Sequence, residues 1–238
     1  MNGDRWRQRA QRASDAFGLV LLLVLLTYVL ASVVSNGGWA AVLLTAVTGA
    51  TSIVALVSSH ARPTFIRRAL WLGVLAVLLA AVSAIGGGRH WLSAANFKEI
   101  CLLAVGMAAV LRRVLTADKV SSRTILGAIS VYTALGILFT WAYGLIDRLE
   151  GGGFFGHTAG IQGSDFLFFS YTTLTTTGYG DLVPASQVGR MVSGLEMMLG
   201  QIFLVTLVAG LVSLWRPGES ILRRRAKRAG EDPDEVAP

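Results

Sequence analysis

Cysteine is almost missing: Cys101 is the only one in 238 residues. A lone thiol closes no disulfide within the chain and founds no cysteine-based metal cluster, so neither staple holds this fold. Cys101 is expected to be a buried, inert thiol. Charge is scarce as well, at 15% of residues against 53% apolar, and no charged side chain occurs between Asp15 and Arg62. So little polar surface cannot clothe a water-soluble globule, which leaves a chain dissolved in lipid. Histidine is limited to His60, His90 and His157, and no two are spaced as a metal pair. His157 alone is kept as a candidate external proton sensor. A phosphate-cradling loop, a nucleophile arrangement and an HExxH pair are all absent from the sequence. The chain is therefore expected to be no enzyme and to carry no cofactor.

What it does contain is oily runs of membrane length. Stretches of about 20 apolar residues predict spans near Phe17–Ser35, Trp39–Ser59, Ile66–Ile85, Asn96–Leu115, Thr124–Ile146 and Val188–Trp215. Asn36-Gly37-Gly38 marks the turn between the first two. The first run is too long for a signal-peptide core and no small-residue cleavage site closes it, so it is read as a retained span. The fourth is the weakest, with Lys98 and Glu99 at one end and Arg112 and Arg113 at the other; those ends are expected to snorkel toward the interface.

The basic residues set the orientation. With the N-terminus cytoplasmic, 17 of the 21 Lys and Arg fall in inside segments, leaving Arg89, Lys98, Arg148 and Arg190 outside. Cationic loops resist translocation, so both termini are expected inside and the 147–187 loop outside a multi-pass protein of the plasma membrane. The net charge of +7 is then mainly topological, and nucleic acid is not an expected partner. The tail motif LRRRAKR is expected to touch anionic lipid heads.

Between the fifth and sixth spans the sequence EGGGFFGHTAGIQGSD reads as a flexible external loop. SDFLFFSYTTLTT then reads as a short helix with Ser164 as its N-cap. A helix too short to cross, followed by Gly-Tyr-Gly, implies a re-entrant segment. Exposed backbone in lipid is so costly that such a segment must be covered by protein or line a water-filled path.

The stretch TTTGYGD, Thr175 to Asp181, resembles the selectivity filter of potassium channels, the family whose TVGYG loop is the standard case of carbonyl-lined selectivity. The resemblance continues through SYTTLTTTGYGDLVPASQVGRMVSGLEMMLGQ as pore helix, filter, outer mouth and start of the inner helix. It is specific over Phe166 to about Trp215, and the first four spans match only in number and hydrophobicity. It implies an all-α membrane protein: six transmembrane helices with a re-entrant pore helix and filter loop between the fifth and sixth. The parts are a basic cytoplasmic N-terminus (1–16), a four-helix unit (17–115), a linker (116–123), a pore domain (124–215) and a short cytoplasmic tail (216–238). Within the pore domain the pore helix is placed at about 164–175, the filter at 176–180 and the inner helix at 188–215.

The resemblance also implies the site. Gly178 and Gly180, lacking Cβ atoms, adopt backbone angles closed to other residues. The carbonyls of Thr176, Thr177, Gly178 and Tyr179, with the Thr176 hydroxyl, replace the water around a potassium ion, while Tyr179 wedges against Phe168 and Phe169. Asp181 sits at the outer mouth. One loop per chain supplies one wall, so a homotetramer is implied. Thr177 replaces the usual Val or Ile, which leaves a weakly selective monovalent cation channel as the alternative. Thr172 replaces a glutamate that in some members pairs with the aspartate after the filter. The rival readings are a Thr/Gly-rich external turn, a potassium-uptake subunit, and a membrane enzyme or scaffold.

In the last span, Glu196 is a filter-adjacent acid, read either as a functional group or as a hydrogen-bonding group behind the filter. Gly200 stands at the family's hinge position, with close helix packing as the rival reading. Gln201, Leu204, Val208 and Val212 share one stripe that could line a cavity. The fourth span lacks arginines at every third position, so steep voltage gating is not expected. Thr45, Thr48, Gly49 and Ser52 share a face of the second span and read as a packing seam. After Trp215 no cytosolic ligand-binding domain is expected.

Overall fold

The computed structural model describes residues 17–33, 38–59, 61, 63–85, 89–116, 122–156 and 160–214. The basic N-terminus, the tail, most of the 116–123 linker, Arg62, His60 and His157 lie outside the described residues, as does Trp215. The described residues form seven α-helices: α1 Phe17–Val33, α2 Gly38–Ser58, α3 Pro63–Ile85, α4 Arg89–Leu115, α5 Ser122–Leu149, α6 Gly163–Leu174 and α7 Gln187–Leu214. Segments of four are long and apolar enough to cross a bilayer, at Trp39–Ser58, Pro63–Val82, Thr124–Leu149 and Gln187–Leu207. The helix α1 is a shorter apolar one of 17 residues.

Local chemistry explains most ends. Pro63 opens α3, where its missing N–H costs nothing. Ser186 caps α7 by accepting the Gly189 amide at 3.0 Å. The helix α5 stops at three consecutive left-handed glycines, Gly151, Gly152 and Gly153, with φ of 84°, 97° and 86°. The start of α4 differs most from expectation. Residues 89–95 contain no Gly or Pro, so the helix begins at Arg89 rather than Asn96, and Glu99 falls in its third turn instead of at a snorkelling end.

Two apolar clusters organise the packing. One joins Phe17, Val20 and Val24 of α1 to Ala55 of α2, Leu103 and Val110 of α4, and Val131, Ala134 and Ile137 of α5. Registers follow from close pairs. Gly18 faces Leu126 while Tyr28 lies against Tyr171, whose hydroxyl reaches the Thr133 carbonyl, so α1 and α5 run parallel. Gly127 meets Val114, and farther along Met107 and Val110 line one small cavity with Ser130, Val131 and Ala134, so α4 and α5 are antiparallel. On the other side Leu22, Val29, Trp71, Leu78 and Phe97 stay exposed, an apolar coat suited to lipid.

The second cluster is aromatic. Tyr143 and Phe139 of α5 gather with Phe154, Phe155, Phe166 and Phe169. Phe154 is 1% exposed and touches Tyr143, Phe166 and Phe169 with ring centroids 5.2 to 5.9 Å apart. The 150–156 segment is therefore not the flexible loop its glycines suggested. The glycines let the chain turn back, Asp147 holds it by accepting the Phe154 amide at 3.0 Å, and two phenylalanines bury themselves beneath it. Cys101 also departs from expectation, lying exposed on α4 because the buried stripe of that helix runs through Asn96, Glu99, Leu102 and Leu103.

Candidate functional site

The helix α6 is short because its two ends are fixed by different chemistry. Its N-cap is Gln162, not Ser164: the Asp165 carboxylate accepts the Gln162 amide at 2.7 Å, and Ser164 lies one residue inside the helix. At its C-terminus the chain does not leave freely. The amides of Thr175, Thr176, Thr177 and Gly178 donate back to Tyr171, Thr173, Thr172 and Thr172 carbonyls at 3.0, 2.9, 2.8 and 3.2 Å. That arrangement satisfies the last turn of α6 and turns four successive N–H groups toward it.

Beyond that point the backbone alternates in handedness. Thr176, Gly178 and Gly180 have φ of 57°, 52° and 84°, whereas Thr177 and Tyr179 between them do not share the left-handed region. Such alternation sends N–H groups to one side and carbonyls to the other. The sequence reading anticipated both glycines but not Thr176, the one described non-glycine residue with positive φ, a costly setting for a β-branched side chain. The carbonyls of residues 176–180 accept no hydrogen bond from the described residues, and residues 175–181 are all exposed in the single chain. Thr175 and Thr177 hydroxyls meet at 2.9 Å. Tyr179 folds away from this row and stacks on Phe168, with centroids 5.8 Å apart and planes within 7°. Phe169, also expected to hold Tyr179, packs instead on Tyr143, Phe154 and Phe155. Asp181 is exposed, and the Thr172 hydroxyl is spent on the Phe169 carbonyl at 3.0 Å.

Behind the loop stands a polar bracket. Glu196 of α7 is completely buried, taking the Tyr143 hydroxyl on Oε2 and the Ser170 hydroxyl on Oε1, each at 2.6 Å. It thus joins α5, α6 and α7, as the hydrogen-bonding reading of this residue held. The Ser170 hydroxyl also lies 2.7 Å from the Gly136 carbonyl. One hydroxyl has one proton to give, so Ser170 shares it between the Glu196 carboxyl group and the Gly136 carbonyl. Neither Tyr143 nor Ser170 was visible as a partner in the sequence, since they stand 53 and 26 residues away.

Glycines set how closely these helices approach. A Cβ on Gly200 would lie 2.5 Å from the Leu174 carbonyl oxygen, so the end of α6 rests directly on α7 there. Packing alone demands a glycine at that point. A Cβ on Gly136 would sit 2.7 Å from the Tyr171 ring, an approach the sequence did not reveal. Of the proposed lining stripe, Gln201 is exposed and Leu204 half-buried, while the side chains of Val208 and Val212 lie outside the described residues. Arg112 and Arg113 end α4 as adjacent exposed groups.

A family model described as "Ion channel" matches residues 131–216, which takes in most of α5, α6, the loop and α7. A 49-residue stretch is 45% identical to the voltage-gated potassium channel of Aeropyrum pernix, covering 21% of this chain and 16% of that protein. The match thus spans under a fifth of the relative's length. No solved structure matches the chain.

Proposed function

We propose that this chain, whose residues 131–216 form an ion-channel domain of the potassium-channel family, conducts potassium passively through a pore shared by four copies. The observation that carries the reading is the row of carbonyls from Thr176 to Tyr179, left unbonded by alternating backbone handedness while the amides of Thr176, Thr177 and Gly178 serve α6. Carbonyl oxygens so presented replace the water of an unhydrated potassium ion, and the Thr176 hydroxyl extends the row. Gly180 ends it and Asp181 draws cations to the mouth. The carboxyl-terminal end of α6 adds a partly negative dipole. One chain supplies one wall, so a homotetramer encloses the ion. Gly200 lets α7 bend below the loop to open the path.

In this reading α1–α5 and α7 make six spans, in keeping with the parallel α1 and α5, with α6 re-entrant. Both termini are cytoplasmic in the plasma membrane, and the basic tail meets anionic lipid. The four-helix unit does not sense voltage steeply, because α4 places its arginines side by side at its end. A second reading, a weakly selective monovalent cation channel, is favoured by Thr177, whose hydroxyl bonds Thr175 where the family carries an aliphatic side chain.

Rubidium uptake by liposomes holding the purified protein tests the proposal. Flux is expected from the wild type and none above empty liposomes from Gly178→Ala, since φ of 52° strains any side chain there. Equal flux from both would end the reading. Reversal potentials in mixed sodium and potassium separate the selective channel from the weakly selective one.

A further inference from the structure

A second polar centre lies in the four-helix unit, away from the loop. Glu99 of α4 is 0% exposed, and neither carboxylate oxygen has a hydrogen-bond partner; the same holds for both polar atoms of Asn96 and for the Thr45 hydroxyl of α2, each 1% exposed. The three belong to one place. The Glu99 carboxylate lies over Gly49 of α2, where a Cβ would be 3.7 Å from Oε1 and 3.9 Å from the Gly73 Cα of α3. Farther along, Gly106 meets Ser52 and Ala55, so α2 and α4 run parallel, and helical spacing puts Thr45 and Asn96 at the same level, one turn back from the Gly49–Glu99 contact on their own helices. By contrast Thr48 and Ser52 on the same seam, and Thr51 facing Thr27 of α1, each spend their hydroxyl on a carbonyl four residues back.

We propose that Glu99, Asn96 and Thr45 form a binding site for a small monovalent alkali cation of sodium or lithium size, separate from the ion path. The charge accounting singles out that ligand. An ionised carboxylate shut in an apolar interior is very costly without a cation beside it. Among the described residues none supplies one. The α2 helix carries no charged side chain; Arg67 and Arg68 of α3 are exposed more than a turn beyond Gly73; and Lys98 points off the buried stripe of α4. The available donors are two carboxylate oxygens, a carboxamide oxygen and a hydroxyl, a hard oxygen set. A single negative charge balances a monovalent ion, whereas a divalent one would leave a buried positive charge. Gly49 and Gly73 bring α2 and α3 close together beside the carboxylate, which favours a small ion over a large one.

The test is equilibrium binding of radioactive sodium to the purified full-length protein in detergent, with potassium held high and constant to occupy the loop. One sodium per chain is expected, displaced by lithium and not by choline. Binding should fall at least tenfold in Glu99→Gln, which keeps the side-chain shape, and several-fold in Asn96→Leu and Thr45→Val. Gly178→Ala should bind as the wild type does, so failure of the pore reading leaves this result intact. Equal sodium binding by wild type and Glu99→Gln overturns the proposal. Absence of binding in the wild type also overturns it, and an infrared band of a protonated carboxyl that Glu99→Gln removes would then assign Glu99 a proton only.

Discussion

Two glutamates set the halves of this protein against each other. Glu196 and Glu99 are equally buried on long helices, yet the first has a tyrosine and a serine at 2.6 Å and the second has no hydrogen bond. In the pore half, the buried carboxylate is held internally and binds three helices into one fixture. In the four-helix half, the Glu99 carboxylate, Asn96 and the Thr45 hydroxyl are left without hydrogen bonds, although Thr48, Thr51 and Ser52 nearby are satisfied. A buried carboxylate with partners is architecture, whereas one without them is retained at a cost that a bound cation or a proton must offset.

Substitutions can break or sharpen that contrast. The largest effect is expected at Gly200→Val in the pore half, where the new side chain meets the Leu174 carbonyl; overpacking of this kind costs about 3 kcal/mol, and rubidium flux should vanish with the thermal transition lowered. Next stands Glu196→Leu, which orphans the Tyr143 hydroxyl and leaves Ser170 only the Gly136 carbonyl, and should cost about 2–3 kcal/mol by denaturant titration in detergent, whereas Glu196→Gln, which keeps the side-chain shape and an acceptor oxygen, should lose under about 1 kcal/mol. If both lose equally, the bracket needs the carboxyl group itself and not merely an acceptor of its shape. Tyr143→Phe should cost about 1 kcal/mol, one hydroxyl's share. Glu99→Leu in sodium-free buffer reverses the sign: with no bond to lose, stability should hold or rise by about 1 kcal/mol. A loss comparable to Glu196→Leu would dissolve the comparison. Cys101→Ala, exposed on α4, should change stability by less than about 0.5 kcal/mol.

The loop was legible because its determinants are contiguous: two glycines in TTTGYGD announce backbone angles that only local sequence sets, and both appear at positive φ. Helix positions were legible for the same reason, since apolar length is a local property. The bracket was not, because the helical faces that bring Tyr143 and Ser170 to Glu196 depend on how α5, α6 and α7 rotate against one another. Glycine-rich 150–156 read as mobile because composition cannot distinguish a flexible glycine from one that turns the chain so that Phe154 is buried. Glu99 read as an end residue because charge was taken to stop a span, while a helix with no breaker continues through it. Cys101 followed from the same shift, for its exposure depends on which stripe of α4 faces inward.

The short joint between α4 and α5 has a bearing on assemblies of mixed composition. Val114 lies against Gly127 across it, and α1 leans on the same α5 and touches Tyr171 of α6. Each four-helix unit is therefore yoked to the pore segment of its own chain. If the chain assembles as proposed, co-expression of altered and unaltered copies should make a defect in α2 or α4 act in proportion to the number of altered copies, because its local injury stays within its own chain.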